Sequence, residues 1–313
     1  MAIWHGAAAC VSGAETPSAS AAAPIYARAT NEFAAAIFLK PAGTTNSDLP
    51  YQLAPLILQE VPGDTPHPRP PPRSRSRPSK AEHDNEQEDA ECRDIPAPLL
   101  PAQQAAPPLP PPEALPTVFY SADSVELNRH PHARFAYAWC YPSGAPGVKA
   151  LALPTQGVRL TLNSHGQPVL WEVLADTSGL RLIFVSRSLE DAAAAEFGSP
   201  LPGRRYAIER SLQQTPGVVV PRVIEDGPTA MGPILHLSQG TRDVSTLICR
   251  CMPAQAKRLL GTRVFDLVPL NGAVVDACLR AAGTNLNAPP ALWGAEDRPQ
   301  DRLDRCLRLP SGF

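Results

Sequence analysis

Between positions 133 and 141 the chain alternates strictly, with Phe135, Tyr137, Trp139 and Tyr141 on every second residue. On an extended backbone that period places four aromatic rings on one face, so the segment is predicted to be a half-buried strand. Residues 157–162 predict another strand. Pro168 then stands where a helix can open, Val169, Leu170, Val173 and Leu174 recur at helical spacing, and Gly179 supplies a stop. Apart from Arg181, residues 180–185 are apolar, as in a strand covered on both faces of a parallel or mixed sheet. Ser188 followed by Asp191, an alanine run and Gly198 predict a capped helix directly after it.

Downstream, the pattern predicts strands at 204–209, 218–224, 233–237 and 244–251. A helix is expected from Pro253 to Gly261, a strand at 264–268, and a helix capped by Asn271 and ended near Gly283. Leu303, Cys306 and Leu307 on one side of 301–309 predict a short amphipathic helix. The fold class that follows is α/β or α+β, a domain at 117–283 built on one mixed sheet with flanking helices, followed by a tail at 284–313.

Composition changes the picture upstream. Of 313 residues 38 are proline, about one in eight against a usual share of about 5%. Runs at 70–72 and 110–112 favour extended polyproline II, so 1–116 is read as a long, largely disordered arm with a proline-rich linker at 62–116. An apolar island at 49–61 interrupts it, a segment that can dock on the main domain or be recognised by a partner. The linker also carries a basic block, 73–77, beside an acidic run, 82–91.

Net charge is −2, divided as −5 over 1–116 and +3 over 117–313. So weak a positive field argues against nucleic acid as a partner. No apolar run is long enough to span a bilayer, so an integral membrane protein is not expected. Seven cysteines without dense spacing fit a reducing, cytoplasmic setting slightly better than a secreted one. Ala8-Ala9-Cys10 resembles a lipoprotein cleavage site but lacks the basic and apolar stretches that would precede one, so a lipid anchor at Cys10 is not expected.

The candidate chemistry is sparse. GxSxG, GxGxxG, Walker A and HExxH patterns are absent, and no cofactor is called for. On a strand, Cys249 and Cys251 share a face and can approach one soft metal ion, with His236, Cys278 and Cys306 as further ligands at unusual spacing. The same thiols become nucleophiles if His236 acts as base and Asp226 or Asp243 orients it. His130 and His132 form a second two-imidazole pair, with Pro131 marking a loop or edge. Ser186, Arg187 and Ser188 lie where a strand ends and a helix opens, a geometry that can hold an anion. With no catalytic pattern, the leading expectation is a non-catalytic module that associates with an unknown protein partner through or beside its arm. The alternative is an enzyme or small-ligand-binding domain with an anion or thiol site at strand ends.

Overall fold

The computed structural model describes residues 19–42, 48–62, 117–140, 155–211, 217–253, 255–270 and 302–313. The expectations for 63–116, Tyr141, 271–301, Cys10 and Cys278 lie outside the described residues.

The fold is mixed α and β, with two mixed sheets and few helices. Four antiparallel pairings in chain order give the larger sheet its body: β3 (Val118–Leu127), β4 (His130–Cys140), β5 (Thr155–Leu162), β6 (Pro168–Val173) and β7 (Arg181–Ser186). Two short parallel partners, β8 (Val218–Val219) and β9 (Val223–Ile224), flank β7. On the opposite edge β13 (Leu267–Pro269) runs parallel to β3. The aromatic ladder behaves as its period demands: Phe135, Tyr137 and Trp139 are buried on one face of β4. Gly157 on β5 pairs with Ala138, between two rings of the ladder, and there an added side chain would press on the Tyr137 carbonyl and a Leu174 methyl. Only glycine lets the two backbones approach so closely there.

The second sheet has the order β11-β10-β2-β1-β12, from β1 (Ala36–Pro41), β2 (Leu56–Glu60), β10 (Ile234–Leu237), β11 (Val244–Ile248) and β12 (Leu259–Phe265). Residues 19–42 and 48–62, read from sequence as part of the arm, therefore belong to the folded body. The apolar island supplies the one-turn-and-a-half helix α2 (Leu49–Leu53) and β2, which lies between β1 and β10. Ahead of β1, α1 (Ala19–Arg28) buries Ala22, Ile25 and Tyr26.

The sheets face one another across one core. Leu39, Ile57, Leu235 and Leu247 of the smaller sheet meet Tyr137, Trp139, Leu160 and Phe184 of the larger. A second core covers the far face of the larger sheet. There Leu170, Ile183 and Val185 pack against α3 (Arg187–Phe197) and the tail, whose single helical turn α4 (Leu303–Cys306) buries Leu303 and Cys306. A third cluster, around Phe33, Leu58 and Ile234, covers the outer face of the smaller sheet.

Several local expectations change under this architecture. Residues 168–173 form a strand, because a strand lying between two cores is apolar on both faces and its residues imitate helical spacing. Residues 204–209 turn rather than extend, organised by the Glu209 carboxylate, which accepts from the backbone N–H groups of Arg205 and Tyr206, both at 3.0 Å. Between Pro253 and Gly261 none of the described residues is helical, and residues 259–265 instead pair in parallel with β1. The helix expected over 301–309 is one turn long.

Candidate functional site: a cleft at the strand ends

The N-terminus of α3 is closed by the protein's own acceptors. Ser186 caps it, its hydroxyl accepting from the Leu189 N–H at 3.2 Å. Asp226, in the turn after β9, accepts from the Ser188 N–H at 2.8 Å and from the Ser188 hydroxyl at 3.0 Å. Arg187 reaches outward to Glu225 at 2.9 Å, an exposed pair whose hydrogen bond holds the guanidinium's pKa up. The donors that the sequence offered to an external anion are thus taken up by Ser186, Glu225 and Asp226, the last a carboxylate placed where the helix dipole favours it. Asp226 is capping α3, not orienting an imidazole.

Ser188 and Asp226 form one side of a cleft of about 300 Å³, a size at the lower end of small-molecule sites. Trp171, Gly227, Cys249 and Arg250 complete its wall. The cleft thus joins two groups that the sequence offered separately, the strand-end serine and the first cysteine. Trp171 is 5% exposed and its indole N–H has no partner, which marks the floor as underused polar surface.

The cysteines do not share a strand face. Strand β11 ends at Ile248, and residues 249–252 form a turn in which the Met252 N–H donates to the Cys249 carbonyl at 3.0 Å. Within that turn Cys249 and Cys251 are joined as a disulfide, with Cα atoms 5.2 Å apart. Cys251 is exposed and Cys249 half-buried. Between them, Arg250 crosses to the Ala54 carbonyl beyond α2; burial pushes its guanidinium down to about 10, so it stays cationic at neutral pH.

His236 is not brought to the thiols. It lies on the outer face of the smaller sheet, fully buried beside the Phe33 ring at 5.4 Å between centroids, while Cys249 packs against the inner core. Neither ring nitrogen has a partner, and burial together with the Arg222 charge pushes its pKa down to about 4. Asp243 is likewise elsewhere, accepting from the Thr177 hydroxyl at 2.6 Å and facing Arg28. Cys306 is a buried free thiol contacted by Arg181 at 3.2 Å. His130 and His132 sit on β4 in a hairpin rather than a loop, and His132 is buried under the Phe313 ring. Among the described residues no group of three or more His, Cys, Asp or Glu is placed to hold a metal ion. Nor is any helix among them long and apolar enough to cross a membrane.

Two buried ionic centres escaped the sequence reading. Glu172 accepts from Arg159 and Arg181 on the face of the larger sheet that looks toward the tail. Burial by itself would raise its pKa, but the two guanidinium groups outweigh it and hold the carboxyl at about 2. Glu209, fully buried, pairs with Arg204 at 2.6 Å. The signal for Glu172 was faint, a lone acid in an apolar stretch with its cations on neighbouring strands, whereas Glu209 follows its own cation Arg204 within one short turn that the sequence suggested was a strand.

Compared with models of protein families, with curated proteins and with solved structures, the chain matches none.

Proposed function

We propose that the protein acts as an association module, and that the partner adds an extended segment to the free side of β12. The observation that carries this reading is the exposure of Leu259 (51%) and Val264 (49%) on the outermost strand of the smaller sheet. Among the described residues β12 pairs as a strand with β1 alone, which makes it the edge of the smaller sheet where another strand would add. Its seven residues carry a single charge, Arg263, whereas edges that must stay solitary are usually blunted with charge or proline. An extended peptide laid along such an edge gains main-chain hydrogen bonds, while half-exposed apolar side chains give it selectivity.

The test is a photo-reactive residue placed at Thr262 in cells making the full chain, followed by reconstitution with the purified cross-linked polypeptide. Binding is expected to weaken by about tenfold or more in Val264→Lys, since a charge on an edge strand opposes pairing. Absence of any cross-link, or equal binding by Val264→Lys, would sink the proposal.

The cleft supports a second reading, a small-ligand-binding domain with its site at the strand ends. What favours it is the meeting of Ser188, Asp226, Trp171 and Cys249 around one concavity.

A further inference from the structure

We propose that Cys249 and Cys251 form a thiol–disulfide exchange site for small-molecule thiols and their disulfides, which reach it at the exposed Cys251, beside the cleft that Cys249 lines. The inference is separate from the association reading and rests on four observations. The first is what the bond fails to do. It spans a single residue within one turn, so it ties no two elements together and closes almost no loop, whereas bridges that stabilise folds constrain long loops. A covalent bond so placed has little structural use.

The second is access. Cys251 is exposed while Cys249 is half-buried in the cleft wall, with its sulfur 3.4 Å from where a side chain at Gly227 would begin. Exchange needs this asymmetry: an outer sulfur that an incoming thiolate can reach, and an inner one that leaves and later returns. The third is leaving-group stabilisation. The Cys251 N–H donates to the Cys249 sulfur at 3.3 Å, and a hydrogen bond from a backbone amide favours the thiolate that forms when the bond opens. The fourth is anchorage. Arg250 is tied to the Ala54 carbonyl, and the Met252 N–H to the Cys249 carbonyl, so the turn keeps both sulfurs in reach once they are reduced.

The chemistry balances as follows. A small-molecule thiolate, RS⁻, attacks the Cys251 sulfur; the S–S bond breaks, an RS–S–Cys251 mixed disulfide forms, and Cys249 departs as thiolate with the electron pair. A second RS⁻ attacks the mixed disulfide, giving RSSR and the Cys251 thiolate. Two protons from solvent complete the dithiol, so 2 RSH are oxidised as the protein bond is reduced. In reverse, Cys251 attacks RSSR, releases RS⁻, and Cys249 displaces the second RS⁻ to restore the bond.

Glutathione and glutathione disulfide are the probes. Full-length protein is equilibrated at stepped ratios of the two, quenched in acid, and its cysteines mapped by mass spectrometry, with thermal melting followed in parallel. Cys249 and Cys251 are expected to gain and lose two hydrogens together, reversibly, with melting temperature unchanged. With glutathione disulfide, Cys249→Ser is expected to trap the mixed disulfide at Cys251 about ten times faster or more than Cys251→Ser traps it at Cys249, because access governs attack. A pair that stays bonded in excess glutathione, or fails to re-form with glutathione disulfide, overturns the proposal. So does equal trapping at the two positions. The wild-type titration decides the matter even if a serine variant folds poorly.

Discussion

Glu209→Gln is expected to remove about 3 to 5 kcal/mol of folding stability, the usual effect of deleting one member of a buried ion pair. The carboxylate is fully buried and satisfies five donors at once. Arg204 reaches Oε1 at 2.6 Å, the Tyr26 hydroxyl lies 3.0 Å from Oε1, and the backbone N–H of Val220 donates at 2.9 Å. The N–H groups of Arg205 and Tyr206 reach Oε2. These partners come from α1, from the 204–209 turn and from the segment after β8, so one side chain joins three parts of the body. Glutamine keeps the shape but removes the charge that compensates Arg204, whose side chain is 1% exposed, and it turns one acceptor into a donor facing donors. A total stability of about 5 to 15 kcal/mol is ordinary, so the loss is large. Tyr26→Phe, which deletes one donor to that carboxylate but leaves the charge pair, should cost less, about 2 kcal/mol. Urea unfolding separates them through the midpoint at constant slope. A Glu209→Gln midpoint no lower than that of Tyr26→Phe would contradict the assignment of Glu209 as the hub.

Acidification from pH 6.5 to 4 is expected to cost about 3 kcal/mol through His236 alone, about 1.4 kcal/mol for each unit of pKa displacement. The sign follows from proton binding. The unfolded imidazole takes up its proton near 6.5, the folded one only near 4, so within that window the unfolded chain holds more protons. Stability is therefore fully present above 6.5 and declines as pH falls to 4. Glu190 works in the opposite sense, since burial raises its carboxyl and the folded state protonates first. Glu172 is lost only below the ordinary carboxylate range, as pH approaches 2. Subtracting the profile of His236→Leu from that of the wild type isolates the histidine. The variant should match or exceed wild-type stability at pH 7, because it removes two buried nitrogens without partners, and should lose the slope between 6.5 and 4. Parallel profiles for the two proteins would refute the assignment.

What the sequence revealed and what it hid divide along the range of the interactions. The ladder at Phe135, Tyr137 and Trp139 was readable because a strand with one buried face writes period two into its own residues. The run at 180–185 was readable for the complementary reason: β7 buries Leu182 and Phe184 on one side and Ile183 and Val185 on the other. The same double burial misled at β6, where Val169, Leu170 and Val173 fell at helical spacing by accident of composition. β2 showed only as an isolated apolar island and β1 and β12 left almost no local trace, because their stability comes from pairing with one another and with β10. At the candidate site, the Cys-x-Cys spacing announced that two sulfurs could meet, yet the turn that bonds them depends on β11 ending at Ile248. The cleft itself was illegible, since Ser188 and Cys249 reach it through different sheets.

The smaller sheet pairs 36–41 with 259–265 and 56–60 with 234–237, all in parallel, and this orders events during synthesis. A nascent chain leaving the ribosome presents β1 and β2 long before their outer neighbours exist, whereas the β3-to-β7 hairpins can close one after another as they emerge. Until residues 234–265 are made, those two strands have no partner but each other, and a two-stranded ribbon alone is marginally stable in water. Chains stalled after residue 225 should accordingly show 118–186 resistant to protease and 36–60 cut.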